Sequence, residues 1–237
     1  MKNTALITGS SKGIGRELSL LLLQKGYTVF GYSRTNSIKH KNFNFNQIDL
    51  TQVNNLESIR FPQVKNDEHI CLINNAGEIG EIEKFGNKKT NDIINEFNIN
   101  TVAPSILCNT FIKNYQNQLN HTTIMNISSG AALRPIESWG TYCQSKAAID
   151  MLTKIINEEH PNIKAYSIYP GVVDTEMQKK IRETDIEKFA LKDVFVEYFN
   201  NKELVDPKII SQKIYHILSN LDLFTDNMVS LRDLSIK

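Results

Sequence analysis

The chain has 237 residues, 27 of them basic and 26 acidic, and this balance gives no argument for binding nucleic acid or an anionic membrane. No signal-peptide core opens the chain and no run approaches the ~20 apolar residues of a membrane helix, so we expect a cytoplasmic protein with one α/β domain over residues 1–237. Three widely spaced cysteines fit reduced thiols, and no metal-ligand spacing is present, so no metal is expected.

The first element along the chain is predicted to be a dinucleotide-binding turn. A short apolar strand at Thr4–Thr8 precedes Gly9, Gly13 and Gly15, and a helix with an apolar face follows over residues 16–25. The glycines permit a tight turn, a close approach to a pyrophosphate and close helix packing, while the helix N-terminus offers N–H groups to phosphates. A plain glycine turn is the structural alternative. The cofactor candidates between the glycines are Ser11, Lys12 and Ile14.

Further strand and helix patterns alternate, as in a parallel α/β sheet. Strands are predicted at residues 27–33, 43–48, 69–73, 122–128, 162–169 and 228–231. Helices are predicted at about 51–60, with Thr51 as candidate N-cap, at 90–117, at 140–159 and from Pro207 onward. Because Pro104 has no N–H, the carbonyl of Asn100 loses its helical partner and a kink is predicted there. A kink that merely faces solvent is the alternative.

The second strand ends in Ser33 and Arg34, where NAD-binding chains usually carry an acid for the ribose 2′-hydroxyl. This position lacks a carboxylate, which would repel a 2′-phosphate. Lys12 and Arg34 are cations suited to bind one. The sequence therefore predicts NADPH as the preferred cofactor.

Residues 129–146 contain the candidate catalytic groups. Tyr142 and Lys146 are one helical turn apart, and a neighbouring cation is expected to lower a tyrosine pKa and so make it a proton donor near neutral pH. Ser129 follows a buried strand, at the edge where open α/β sheets bind ligands. An isolated tyrosine-lysine pair would more often be a solvated helix face, but the serine and the glycine turn favour a catalytic site.

The charged and interrupted segment at residues 176–205 contains short amphipathic pieces and no clean strand. We predict a mobile lid over the substrate, and an ordinary pair of surface helices is the alternative.

Together these motifs resemble the short-chain dehydrogenase/reductase family, most closely its sepiapterin reductase and benzil reductase branch. The family motifs are TGSSKGIG at residues 8–15, NNAG at 74–77, NIN at 98–100, the serine, the YCQSK segment at 142–146 and the Pro170-Gly171 pair. The branch is indicated by SS at 128–129, SW at 138–139 and VDTEMQ at 173–178.

The resemblance implies a Rossmann-like, doubly wound parallel sheet of about seven strands with helices on both faces. It implies that Ser129 polarises the substrate carbonyl, Tyr142 protonates the alkoxide, Lys146 holds the nicotinamide ribose and Asn100 positions a relay water. Further cofactor contacts are implied at Asp49, Leu50, Asn75, Ala76, Gly77, Pro170, Gly171, Val173 and Thr175, and further substrate contacts at Trp139 and Met177. Pairing of the two long helices implies a homodimer or homotetramer.

The expected activity is NADPH-dependent reduction of a carbonyl, with a benzil-like vicinal dicarbonyl as substrate. In sepiapterin reductases a carboxylate of the C-terminal tail anchors the pterin, whereas Ser230 occupies that position here, with Asp233 and Asp226 as the other candidates. Sepiapterin reduction is therefore the alternative. A 3-oxoacyl carrier-protein reductase would want a basic surface that is not evident, and a non-enzymatic NADP(H) sensor would be free to lose the catalytic set.

Overall fold

The structure is a computed structural model that describes residues 3–65 and 68–236. The strands are β1 (Thr4–Thr8), β2 (Thr28–Ser33), β3 (Phe43–Gln47), β4 (Ile70–Asn74), β5 (Thr122–Ile127), β6 (Lys164–Tyr169) and β7 (Met228–Ser230). Within the described residues they form one seven-stranded sheet in the order β3-β2-β1-β4-β5-β6-β7, and every pair is parallel. This is the doubly wound order, whose switch point lies between β1 and β4, and it confirms the expected fold.

Helices cover both faces of the sheet. They are α1 (Gly13–Gln24), α2 (Thr90–Phe97), α3 (Ala103–Asn114), α4 (Gly140–Glu159), α5 (Glu176–Glu183), α6 (Lys192–Asn200) and α7 (Pro207–Ser219). Strand β1 shows why both faces are needed: Ala5 and Ile7 pack with α1 and α7, whereas Leu6 packs with α3 on the opposite face. Side chains alternate between the faces of a strand, so an all-apolar strand must be covered on both sides.

The helix predicted at residues 51–60 forms only in part, as a short 3₁₀ helix, and the N-cap predicted at Thr51 is wrong. A 3₁₀ helix spans Val53–Ser58, and Gln52 rather than Thr51 precedes it. The backbone N–H and the hydroxyl of Thr51 both donate to Asp49 Oδ1, at 3.0 and 2.9 Å. This side-chain turn satisfies the donors locally and competes with an α-helical start.

The kink predicted near Asn100 is a π-helical turn. The segment Asn98–Val102 joins α2 to α3, and the N–H of Ala103 donates to the carbonyl of Asn98, five residues back. Pro104 follows in the first turn of α3, where its missing N–H is tolerated. Asn100 is 1% exposed, so the alternative of a solvent-facing kink is wrong. Such turns often occur at functional sites.

The segment at residues 176–205 folds as the helix pair α5 and α6. Ile181 and Phe189 are buried against Trp139 and Tyr142, so this pair covers the place where α4 begins. Its mobility remains a prediction. Among the residues described, no helix is both long enough and apolar enough to cross a membrane.

Candidate active site

A cleft of about 1460 Å³ opens at the carboxyl edge of the sheet, beside the switch point. Nearly all of the predicted site residues line it. The two exceptions are Gly15 and Asn100, which lie directly behind its wall: Gly15 approaches Gly9 and Asn75, and the amide oxygen of Asn100 approaches Gly77. One cleft therefore brings together the sets that were assigned separately to cofactor, substrate and catalysis.

The glycine turn fits the diphosphate of a dinucleotide. Gly9 and Gly13 have positive φ angles of 67° and 55°, which L side chains rarely adopt. A Cβ at Gly15 would lie 2.4 Å from the carbonyl oxygen of Gly9 and from Nδ2 of Asn75, so only glycine lets α1 start this close to β1. The side chain of Lys12, which precedes α1, makes no capping hydrogen bond, and the N–H groups and dipole of the first turn can bind an anion.

At the end of β2, the hydroxyl of Ser33 lies 3.2 Å from that of Ser10 and donates to the carbonyl of Thr35 at 2.8 Å. Arg34 and Lys12 are exposed and both line the cleft. Ser33 and Arg34 thus lie at the end of β2, where NAD-binding chains usually carry an acid.

The loop after β4 is tied to β1. Asn75 donates through Nδ2 to the carbonyl of Thr8 at 3.0 Å, and the N–H groups of Asn75 and Ala76 donate to the Thr8 hydroxyl at 3.0 Å. Across the cleft, Gly171 has a φ of 82°, and the Thr175 methyl would lie 3.4 Å from a Cβ at Gly13. The loops after β1, β4 and β6 therefore face one another.

Tyr142 lies in the first turn of α4, and Lys146 lies one turn later. The Lys146 Nζ is 5.7 Å from the centroid of the Tyr142 ring and donates to the carbonyl of Ile127 at 2.8 Å. Ser129, just past β5, accepts a hydrogen bond from the N–H of Ala131 at 3.2 Å. The strand end and the helix start thus place a hydroxyl, a phenol and an ammonium group along the same cleft.

The expected lowering of the tyrosine pKa by Lys146 is not what the structure gives. Burial raises the pKa of Tyr142 to about 12, and the neighbouring Ser129 hydroxyl only partly opposes this rise. Burial also lowers the pKa of Lys146 to about 8, with Asp150 acting in the opposite direction. Desolvation disfavours the charged form of both groups, and it is the largest cause of the pKa shift in each. Tyr142 is therefore a neutral phenol, and so a proton donor, at physiological pH.

Asn100 holds the loop that follows β4. Its amide oxygen accepts from the N–H of Glu78 at 2.9 Å, and its amide nitrogen donates to the carbonyl of Glu78 at 2.8 Å. The same nitrogen donates to the Ser145 hydroxyl at 3.2 Å, and Ser145 donates to the carbonyl of Tyr142 at 2.8 Å. The Asn100 side chain thus links the cleft wall to the helix of Tyr142. The role of the Asn100 main-chain carbonyl in a water relay remains a prediction.

Aromatic side chains cluster in the part of the cleft beside Tyr142. Trp139 stacks on Phe189 at 5.3 Å between ring centroids and contacts Phe195 at 5.4 Å, and the sulfur of Met177 lies 4.0 Å from the Tyr142 hydroxyl. Trp139 and Met177 therefore line the same cleft as Tyr142, and their contact with a substrate remains a prediction. Individual aromatic residues of the helix pair, Phe195 among them, were not assigned from the sequence, although the amphipathic pattern of that segment was the signal.

The C-terminal tail brings a serine and an arginine to the cleft. Ser230 and Arg232 line the cleft, whereas Asp226 and Asp233 do not. Asp226 instead accepts a hydrogen bond from the N–H of Met228 at 2.9 Å. Among the described residues, no cluster of histidine, cysteine and acidic side chains could hold a metal ion.

Comparison with known proteins agrees with this geometry. The profile of the short chain dehydrogenase family matches residues 3–186. A benzil reductase ((S)-benzoin forming) from Bacillus cereus is 34% identical over 232 residues, which cover 90% of this chain and 92% of that protein. A sepiapterin reductase from Meriones unguiculatus is 30% identical over 239 residues, covering 90% of each chain.

Solved structures give the same fold. A short chain dehydrogenase/reductase from Saccharomyces cerevisiae superposes with a TM-score of 0.83 at 24% identity, over 98% of this chain and 96% of the other. ElxO with NADP bound gives a TM-score of 0.78 at 26% identity, over 98% and 97%. The resemblance inferred from the motifs is confirmed: the chain belongs to the short-chain dehydrogenase/reductase family, whose fold binds a nicotinamide cofactor, and it is an oxidoreductase of that family.

Proposed function

We propose that this protein is an NADPH-dependent carbonyl reductase whose substrate is a vicinal dicarbonyl with aromatic or apolar flanks. The observation that carries the proposal is the position of the neutral phenol of Tyr142 beside an aromatic wall. The ring of Tyr142 lies 5.8 Å from that of Trp139, edge to face, and 6% of the residue is exposed. A flat aryl ketone would contact this wall while its carbonyl oxygen meets the phenol.

The bound nicotinamide would supply the hydride, and the chain's own groups would supply position and the proton. The Ser129 hydroxyl would donate to the substrate oxygen and hold it near Tyr142. As negative charge develops on that oxygen, Tyr142 would transfer its proton, and the charge of Lys146 would stabilise the resulting phenolate. Burial of the phenol and the ammonium excludes water and strengthens these interactions.

The indole of Trp139 also favours a substrate that has a second carbonyl. Its indole N–H is buried and has no hydrogen-bond partner among the residues described. A buried donor without a partner lowers stability, so a substrate oxygen that reached this N–H after a shift of the side chains covering it would be favoured. Replacement of Trp139 by Phe keeps the stacking surface, and we expect it to weaken binding of a dicarbonyl more than binding of a matched monoketone.

Arg34 after β2 and Lys12 in the glycine turn support NADPH. Arg34 and Lys12 can bind a 2′-phosphate, and the hydroxyl of Ser33 takes the place of the acid that would repel it. The NADP-bound relative is compatible with this choice.

Sepiapterin reduction is the second candidate, because sepiapterin reductases also match most of this chain. The tail argues against it: Ser230 lies at the cleft, and neither of the nearby aspartates lines it. A serine lacks the charged pair of acceptor oxygens that a pterin's amino-pyrimidine edge prefers.

Steady-state oxidation of NADPH with benzil and with sepiapterin tests the proposal. We expect a higher kcat/KM for benzil. A markedly higher value for sepiapterin, lost when Asp233 or Asp226 is replaced, would make this a pterin enzyme. Acyl thioesters, added to the same screen, test the carrier-protein reductase alternative. Absence of any turnover despite NADPH binding would favour the sensor.

The outer surface supports the expected homodimer or homotetramer. Ile94 of α2 and Met151 and Ile155 of α4 are 50%, 55% and 43% exposed, and apolar residues at this exposure suit a subunit interface. Light scattering coupled to size-exclusion chromatography tests this, and a monomer at micromolar concentration would contradict it.

The helix pair α5 and α6 is proposed as the substrate lid, and faster hydrogen exchange there than in α4 tests its mobility.

A further inference from the structure

A buried ion pair lies beside the active site but outside the cleft. The Nζ of Lys88 is 2.8 Å from Oε2 of Glu96 and 2.8 Å from the hydroxyl of Thr141. The side chains of Lys88 and Glu96 are 1% and 0% exposed. The nearby pair of Lys84 and Glu137, at 2.7 Å, is by contrast 56% and 52% exposed. Burying two charges is costly, so a pair this deep calls for a physical explanation.

The pair connects two helices at the proposed proton donor. Glu96 lies in the last turn of α2, just before the π-helical turn, and Thr141 lies in the first turn of α4, next to Tyr142. Lys88 precedes α2 and reaches both residues. The ammonium group therefore sets the distance between α2 and the turn of α4 that carries the phenol.

Glu96 also supports the loop that forms part of the cleft wall. A Cβ at Gly80 would lie 2.2 Å from Oε2 of Glu96, and Gly80 has a φ of 67°. This approach brings the loop onto the carboxylate, while Ile79 and Ile82 on either side pack with Trp139 and Tyr142. The same carboxylate thus contacts the loop and, through Lys88, the helix of Tyr142.

The arrangement is a poor way to stabilise a fold. The second oxygen of Glu96, Oε1, is buried without a hydrogen-bond partner among the residues described. Burial raises the pKa of Glu96 to about 7, and the hydrogen bond from Lys88 only partly opposes the rise. Well-packed apolar residues in place of a buried ion pair are often neutral or stabilising. Position, rather than stability, is what these contacts provide.

We propose that Lys88, Glu96 and Thr141 are positioning residues, which hold Tyr142 and the loop at residues 77–83 in the orientation needed for proton transfer to the substrate. The proposal rests on carbonyl reduction by Tyr142. It does not depend on which carbonyl compound is reduced.

The sharpest test removes a single hydroxyl. Thr141→Val keeps the shape of the side chain and deletes the acceptor for Lys88, whereas Thr141→Ser keeps the hydroxyl. We expect kcat of the valine variant to fall about tenfold, since small misplacements of catalytic groups are costly. The Kd for NADPH should be unchanged, and the serine variant should recover at least half of the wild-type kcat. Lys84→Met, in the exposed pair, is the matched control and should retain the wild-type kcat.

The double variant Lys88→Met/Glu96→Met removes both charges, replaces them with apolar side chains of similar length and so guards against the misfolding of either single variant. We expect its melting temperature to stay near that of the wild type while its kcat falls about tenfold. Wild-type kcat in a folded double variant, or equal kcat for the valine and serine variants, would overturn the proposal. If the wild-type protein reduces a monoketone and not benzil, the dicarbonyl proposal fails. The ratios of variant to wild-type kcat, measured on that monoketone, still decide whether Lys88, Glu96 and Thr141 are positioning residues.

Discussion

Replacement of Tyr142 by Phe tests the assigned proton donor directly. The phenol oxygen contacts the sulfur of Met177 at 4.0 Å, and the ring lies edge to face with Trp139 at 5.8 Å. Phenylalanine keeps the ring and its packing and removes only the hydroxyl. The structure therefore predicts a change in the free energy of unfolding of about 1 kcal/mol or less, the net contribution of one ordinary hydrogen bond.

The catalytic effect should be much larger. General acid catalysis contributes about 10²- to 10⁴-fold, which corresponds to roughly 3–5 kcal/mol of activation free energy at 1.36 kcal/mol per tenfold. Turnover is measured by NADPH oxidation with benzil, NADPH affinity by fluorescence and stability by thermal melting. We expect a large loss of kcat with NADPH affinity and melting temperature nearly unchanged.

Tyr166→Phe is the matched control. Its hydroxyl donates to the carbonyls of Leu221 and Phe224, both at 3.1 Å, and it does not line the cleft. Its removal should cost about 1–2 kcal/mol of stability and leave kcat unchanged. Near-normal turnover of the Tyr142→Phe variant would exclude Tyr142 as the proton donor and refute the assignment.

Three further predictions concern the cofactor and pH. Arg34→Asp should lower the ratio of kcat/KM with NADPH to that with NADH by about tenfold or more, and an unchanged ratio would remove Arg34 from 2′-phosphate binding. Reduction should slow as the pH rises past about 8, where Lys146 loses its charge, and Lys146→Arg should move this limb upward; a flat profile to high pH in the wild type would contradict the role of that charge. Burial lowers the pKa of His69 from 6.5 in the unfolded chain to about 4 in the folded protein. As the pH falls below 6.5 the unfolded chain takes up this proton first, so the free energy of unfolding decreases, by about 3 kcal/mol in total once the pH is below 4. Urea denaturation at pH 5 and pH 7 measures this, and His69→Gln with the same acid slope would show that another group is responsible.

The sequence alone determined the family and the order of the elements. Gly9 and Gly13 are required by backbone conformations that other residues rarely adopt, and Gly15 is required by a close approach of backbone to side chain. Tyr142 and Lys146 share a helix face because of their spacing. These signals are local, so no knowledge of the packing was needed to find them. The buried strands were likewise indicated by continuous apolar runs, although several ends shifted by one or two residues.

Sequence reasoning failed at one local side-chain turn and where burial decides the outcome. The helix predicted at residues 51–60 is a 3₁₀ segment because the Asp49 carboxylate accepts the donors of Thr51. The pKa of Tyr142 rises because the phenol is buried, and burial by distant segments cannot be deduced from a lysine four residues away. Spacing predicts which groups are neighbours along a helix, but it gives no measure of desolvation.

The pairing of Lys88 with Glu96 and Thr141 was decided only by the tertiary structure. Lys88 and Glu96 are eight residues apart, and Thr141 is 53 residues from Lys88, so no periodicity connects them. In the sequence each is an ordinary polar residue of the kind that usually lies in solvent. Only the packing of α2 against α4 excludes water from them and makes their contacts consequential, because the energy of a charge depends on its surroundings rather than on its place in the chain.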